Sequence, residues 1–226
     1  MNLFPLWNSL RIAAIASIIV FFVGIFLGYF VKKCPRVLKG ILDVILVLPL
    51  VLPPTVVGYI LILIVGPLHP VGQFLQTLGI TFFMDWKGGI LASVIVSFPL
   101  MYRTARSSFE AFDEDLASAG KTLGLSNWFV FWRIRLPNCK NGIIAGAVLA
   151  FARALGEYGA TSMLVGYNAY TTATISTTVA YSWNNDQGTV ALIWTLINIA
   201  ISAIVLIAVN LFERKGGQKN VIKSEH

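Results

Sequence analysis

Residues 113–137 read DEDLASAGKTLGLSNWFVFWRIRLP, the longest polar-to-amphipathic interval in a chain that is otherwise mostly apolar. The interval carries its own punctuation. Asp113 can cap a helix, Leu116, Ala119, Gly120 and Leu123 recur at helical spacing, and Gly124 can end the helix. Ser126 can cap a second short helix bearing Trp128, Phe129 and Trp132, which Leu136 and Pro137 close. The pattern predicts a helix, a glycine turn and a second helix, the shape of a docking element. What lies on either side decides the fold class.

The flanks are hydrophobic. The chain has 226 residues, 57% of them hydrophobic and only 12% charged, with a mean hydropathy of +0.77. A soluble domain carries about a quarter charged residues. Several segments run for about 20 residues with almost no charge, the length a helix needs to cross a bilayer. The expectation is an all-α membrane protein forming a single transmembrane domain over residues 1–226. Its five spans are expected near 10–31, 41–65, 89–107, 142–165 and 190–212, with a polar loop over 108–140. The apolar stretch after Arg11 is too long for a cleaved signal peptide, and no small-residue cleavage site precedes the basic cluster that follows it.

The 17 basic residues are unevenly divided. Lys32, Lys33, Arg36 and Lys39 follow the first span. Arg103, Arg106, Lys121, Arg133, Arg135 and Lys140 follow the third, and Arg214, Lys215, Lys219 and Lys223 follow the fifth. The opposite side has only Arg11 and Lys87, while Arg153 falls within a span. Fourteen against two puts the N-terminus outside, the C-terminus in the cytoplasm and the 113–137 stretch on the cytoplasmic side. The net charge of +7 is then a matter of topology and not of nucleic-acid binding, which would gather the basic residues on one soluble face. Cys34 and Cys139 fall on the cytoplasmic side without metal-ligand spacing, so free thiols are expected.

Some residues inside or beside the spans could carry a transport pathway. Pro49, Pro53 and Pro54 interrupt the second span, and broken backbone at membrane depth needs protein or a water-filled cavity to satisfy it. They could line a pathway or only fit a kinked helix to its neighbours. Arg153 and Glu157 sit one turn apart in the fourth span and can pair on one helix face. An anion-attracting role is possible for Arg153, but Glu157 would cancel much of its field, which favours a structural ion pair. Thr174, Ser176 and Thr177 belong to a hydroxyl-rich external segment, 167–187. Neutral donors there could pass an oxyanion without trapping it, and they equally suit an ordinary loop or short surface helix.

Two other chemistries are excluded. Gly120-Lys121-Thr122 ends like a phosphate-binding loop, but Asp115 occupies its first glycine position and no strand precedes it, so no ATP site is expected in this chain. No serine–histidine–acid or cysteine–histidine set is present, and His69 and His226 fall in an external loop and at the C-terminus. No catalytic residue, metal site or bound cofactor is expected.

The 113–137 stretch resembles the cytoplasmic loop of permease subunits of ATP-binding-cassette importers, which has the form E-A-A-x-x-x-G-x9-I-x-L-P. Ser118, Ala119 and Gly120 stand in the first three positions, and Gly124, Ile134, Leu136 and Pro137 fill the rest at full spacing. The sequence departs at Ser118, where the family has glutamate, and at Gly120, where it has alanine. Glu110, Asp113, Glu114 and Asp115 lie nearby and could supply the missing charge. LPLVLPPTVVGY (48–59), SFPLMYRTARSSFE (97–110) and FARALGEYGAT (151–161) are similar to molybdate importer permeases, and sulfate importer permeases share a form of the third.

The resemblance implies a type I importer permease in a prokaryotic cell membrane, surrounded by lipid. It implies a homodimer with the pathway on its two-fold axis. Two ATP-binding subunits holding ATP and magnesium would dock at residues 118–120, 124, 134, 136 and 137, and an extracytoplasmic binding protein would deliver the oxyanion. Molybdate is the expected cargo, with tungstate and sulfate as alternatives. A stand-alone channel or secondary transporter is the rival of another class, and the loop argues against it.

Overall fold

A computed structural model describes the backbone of residues 2–221 and the side chains through residue 207. The basic tail, with Lys223, Ser224, Glu225 and His226, lies outside the described residues.

The described chain is helical. Helix α1 (Phe4–Lys32) is followed by α2 (Arg36–Val51), α3 (Pro54–Val65), α4 (Pro70–Thr77) and α5 (Trp86–Glu110). Helix α6 (Glu114–Thr122) and the short α7 (Asn127–Val130) come next. A π-helical turn (Phe131–Arg135) leads from α7 into α8 (Leu136–Asn138). Then come α9 (Lys140–Leu155), α10 (Gly159–Val165), α11 (Ile175–Asn184) and α12 (Gly188–Val221).

Helices α1, α5 and α12 are each long and apolar enough to cross a membrane. Two further candidates are bent pairs. Helices α2 and α3 meet at 112°, and α9 and α10 at 51°, which makes five spans if each pair counts as one. The segment expected to be a kinked second span is thus a sharp break. Leu52 and Pro53 are extended, with ψ of 142° and 134°. A residue before proline is pushed out of the helical region, and two consecutive prolines remove two backbone donors, so the ladder cannot bridge residues 52–54. Pro49 is accommodated inside α2, whereas Pro54 takes the first turn of α3, where a missing N–H costs nothing.

Helix α5 is the centre of the bundle. It starts at Asp85, whose carboxylate accepts from the Lys87 amide at 2.8 Å. Helix α1 closes on one side of it and α9 on another, and both approach through glycines four apart. A Cβ on Gly24 or Gly28 would meet Met101 or the Ala105–Arg106 backbone of α5. A Cβ on Gly142 or Gly146 would strike Ser108 or Thr104 of the same helix. Small residues at this spacing let helix backbones come close where lipid supplies no hydrophobic drive between helices.

The core continues out of the bundle into the 113–137 region. Val20, Met101, Ala105 and Phe109 form one buried cluster with Phe112, Ala117, Val130, Cys139 and Ile143. Helix α10 packs separately on α3 and α5 through Ala160, Leu164, Val57, Leu61, Ala92 and Val96.

Candidate functional site

The 113–137 stretch is a helix–turn–helix seated on the end of α1 and α5. Asp113 caps α6 by accepting from the Asp115 amide at 2.9 Å. The helix stops at Gly124, whose φ of 80° only glycine adopts without strain. The Gly124 and Leu125 amides close the end on the Lys121 and Gly120 carbonyls. Ser126 caps α7 through the Phe129 amide at 3.2 Å. These features match what the sequence predicts.

The buried face of α6 differs from the predicted stripe. Ala117 and Gly120 face the core, while Leu116, Ala119 and Leu123 are exposed. The docked side of α6 is thus set by its small residues, because Ile134 of the π-helical turn lies too close for large ones. A Cβ on Gly120 would come within 2.8 Å of the Ile134 side chain, so two of the motif positions touch each other across the turn. Leu136 is half-buried and Pro137 exposed, both on α8. Ser118 is exposed, and its carbonyl accepts from the Thr122 hydroxyl at 3.1 Å. The free surface of the element carries an apolar patch among exposed polar residues such as Lys121, Thr122 and Arg133: Leu123 is 80% exposed and Trp128 72%, with Phe129 and Trp132 beside them.

An ion cluster that the sequence does not reveal ties this element down. Glu114 accepts two hydrogen bonds from the Arg135 guanidinium, at 2.6 and 2.5 Å, and one from the Lys32 ammonium at 2.5 Å. Lys32 also donates to the Phe109 carbonyl at the end of α5. Arg135 is only 9% exposed and lies over the Phe112 ring, 5.2 Å from its centroid. The Arg135 guanidinium, helped by Lys32, holds the Glu114 carboxyl down at about 2, while Glu114 in turn raises the Arg135 pKa. Of the four acidic residues near Ser118, Glu114 makes this tie. Only its position in the first turn of α6 hints at it. Cys34 and Cys139 are both free thiols, and burial pushes the Cys139 thiol up.

The membrane-depth candidates gather at the two helix breaks. Gly159 packs so close to Pro54 that a Cβ there would come within 2.8 Å of the proline ring. Arg153, on the last turn of α9, donates to Glu157 at 2.6 Å. The pair does not lie along one helix, since Glu157 sits in the break between α9 and α10. Its carboxylate, 1% exposed, also accepts from the Ala160 amide at 2.7 Å and so caps α10. Arg153 therefore compensates a buried capping carboxylate. Pro49 lies apart from this junction, within α2.

The hydroxyl-rich segment is not an open loop. Thr174 and Thr177 form a reciprocal capping box at the start of α11, each side chain taking the other's backbone N–H. Both are buried, and Ser176 is half-buried. Two polar residues near the start of α1 fix this region. Asn8 donates to the Thr172 and Ala173 carbonyls at 3.2 and 3.0 Å, and Ser9 accepts from the Ile175 amide at 2.8 Å. Their signal in sequence is polarity at the entry to an apolar helix.

This arrangement has known counterparts. The chain is 40% identical over 211 residues to the molybdenum transport system permease protein ModB of Escherichia coli K12, covering 90% of this chain and 91% of that one. It is 36% identical over 203 residues to the putative molybdenum transport system permease protein YvgM of Bacillus subtilis, covering 89% of each. Its fold is similar to a chain of a bacterial ABC transporter involved in the import of the acidic polysaccharide alginate. The TM-score is 0.77 at 15% identity, over 93% of this chain and 78% of that chain. The family described as binding-protein-dependent transport system inner membrane component matches residues 10–216. An exposed helix–turn–helix on a bundle of apolar, partly broken helices is accordingly the frame of an inner-membrane transport component, and the chain belongs to that family.

Proposed function

We propose that this chain is the permease subunit of an ATP-driven molybdate importer. It would work as a homodimer with two ATPase subunits on the cytoplasmic side and an oxyanion-binding protein outside. The observation that carries the reading is the exposed apolar surface of the helix–turn–helix, held to the bundle by the Glu114–Arg135–Lys32 cluster, in a chain similar over nine-tenths of its length to molybdenum permeases. Leu123, Trp128, Phe129 and Trp132 offer an apolar patch to a groove on the ATPase. Ser118 stands where the family motif has glutamate and its hydroxyl carries no charge for an ion pair, which gives that patch the larger share in docking.

Closure of the ATPase pair around ATP and magnesium would move the α6–α8 element. Because Lys32 of α1 holds both Glu114 of the element and the Phe109 carbonyl of α5, the helices move with it and the pathway alternates between its two openings. This subunit performs no covalent step. The basic-residue asymmetry supports an N-terminus outside, and counting each bent helix pair as one span supports five spans. The test is ATP-dependent uptake of labelled molybdate by the assembled complex in vesicles, with tungstate and sulfate as competitors. Molybdate uptake that sulfate does not suppress is expected. Uptake of sulfate in preference to molybdate would reassign the cargo, and transport by this chain without the ATPase would overturn the importer reading.

A further inference from the structure

The two sides of the Pro53–Pro54 joint are held in different ways. Helix α3 is anchored by buried Val57, Gly58 and Leu61, seated against α10 and α5. Helix α2 has no buried residue along its length. What fastens it to α5 is a group of charges toward its N-terminal end. The Asp43 carboxylate pairs with the Arg106 guanidinium and accepts from the Tyr102 hydroxyl at 2.5 Å. Lys39 pairs with Glu110, which also accepts from Arg106 Nε at 3.1 Å. Asp43, Arg106 and Glu110 of this group also line one end of a cleft of about 520 Å³ between the two helices, otherwise walled by Val44, Val47, Leu48 and Val51 of α2 and by Arg103 and Ser107 of α5.

We propose that Lys39, Asp43, Arg106 and Glu110 form a latch that opens and closes during the transport cycle, so that α2 swings about Pro53–Pro54 while α3 stays fixed to α10. A well-packed apolar seam resists separation, but partly exposed ion pairs exchange partners with water and salt at little cost. The joint itself lacks two backbone donors, so little ladder is broken when its angle changes. The cleft is the space that α2 would vacate or fill. The latch also adjoins the coupling element: Glu110 ends α5, and Glu114, four residues on, is held by Arg135 and Lys32. This inference rests on the importer reading.

The experiment locks the latch. Asp43→Cys with Arg106→Cys, in a background carrying Cys34→Ser and Cys139→Ser, is assembled with the ATPase and bridged by a short, reducible bis-methanethiosulfonate. Lys39→Cys with Glu110→Cys is the parallel variant. Bridging should form in the resting complex, lower ATP turnover stimulated by loaded binding protein at least tenfold, and be reversed by reduction. Full turnover with the bridge in place would show that α2 never leaves α5 and would overturn the proposal. So would failure to bridge in the resting complex, or inactivity in both variants that reduction does not relieve. The readout is ATP turnover, so failure of molybdate uptake by the unaltered complex bears on the cargo alone.

Discussion

Glu114 is the residue that fastens the helix–turn–helix to the bundle. Its carboxyl is held at about 2 against an ordinary 4.5, chiefly by the Arg135 guanidinium. Above pH 4.5 the group is ionised whether the chain is folded or not, and the tie contributes fully. As pH falls below 4.5 the unfolded chain takes up the proton first, so the contribution shrinks and is gone below about 2. Glu114→Gln should therefore flatten the dependence of thermal stability on pH between 4.5 and 2. At neutral pH it should cost about 1 kcal/mol, because the carboxylate is half-exposed and solvent screens it. Thermal unfolding of purified chain across that pH range measures both.

Gly124 makes a second test. No atom lies within 4 Å of where its Cβ would be, so only its φ of 80° opposes a side chain. Gly124→Val should strain the turn by about 1–2 kcal/mol and uncouple ATP turnover from uptake, while Gly124→Asn should keep most activity. Normal uptake with normal ATPase stimulation in the valine variant would count against docking through this turn. Asp113, Gly124 and Ser126 were legible in the sequence because caps and turns are local. The Glu114–Arg135 tie joins residues 21 apart, and nothing in local spacing selects Arg135 over Arg133.

At the scale of elements, α5 is held by the glycine faces of α1 and α9. A Cβ on Gly28 would sit 3.0 Å from the Arg106 amide nitrogen and 3.3 Å from the Ala105 Cβ, and backbone cannot give way as a side-chain tip can. Gly28→Val should force α1 from α5 and cost about 1–3 kcal/mol. Gly40 on α2 is the control. Nothing lies within 4 Å of its Cβ position, so Gly40→Ala should be neutral or raise stability by about 0.5–1 kcal/mol. Chemical or thermal unfolding of the two variants in detergent checks the contrast. Composition was enough to place the apolar helices. It could not give the 112° between α2 and α3, because a proline pair permits a break while the angle depends on what each half packs against.

For the whole molecule, the charge asymmetry makes a directional claim. In intact cells a thiol at Asn2→Cys should react with a membrane-impermeant maleimide, and one at Leu123→Cys should react only after permeabilisation. The reverse pattern would invert the proposed topology. The family was legible from a motif that survives two substitutions, at Ser118 and Gly120. The local roles of the membrane-depth residues were less so. The hydroxyls of Thr174 and Thr177 are used by a helix cap and the Arg153 charge by a buried carboxylate, and neither use can be seen without the tertiary structure.

Helix α1 has a mechanical consequence. Its 29 residues make a rod about 43 Å long. At one end Lys32 grips both Glu114 and the Phe109 carbonyl. At the other, Asn8 and Ser9 grip the backbone at Thr172, Ala173 and Ile175. A strut pinned at both ends transmits displacement without needing a relay of side-chain rearrangements between them. Movement of the helix–turn–helix would thus reach the start of α11 at the other end of α1 in one step, and severing either pin would leave the two ends out of phase.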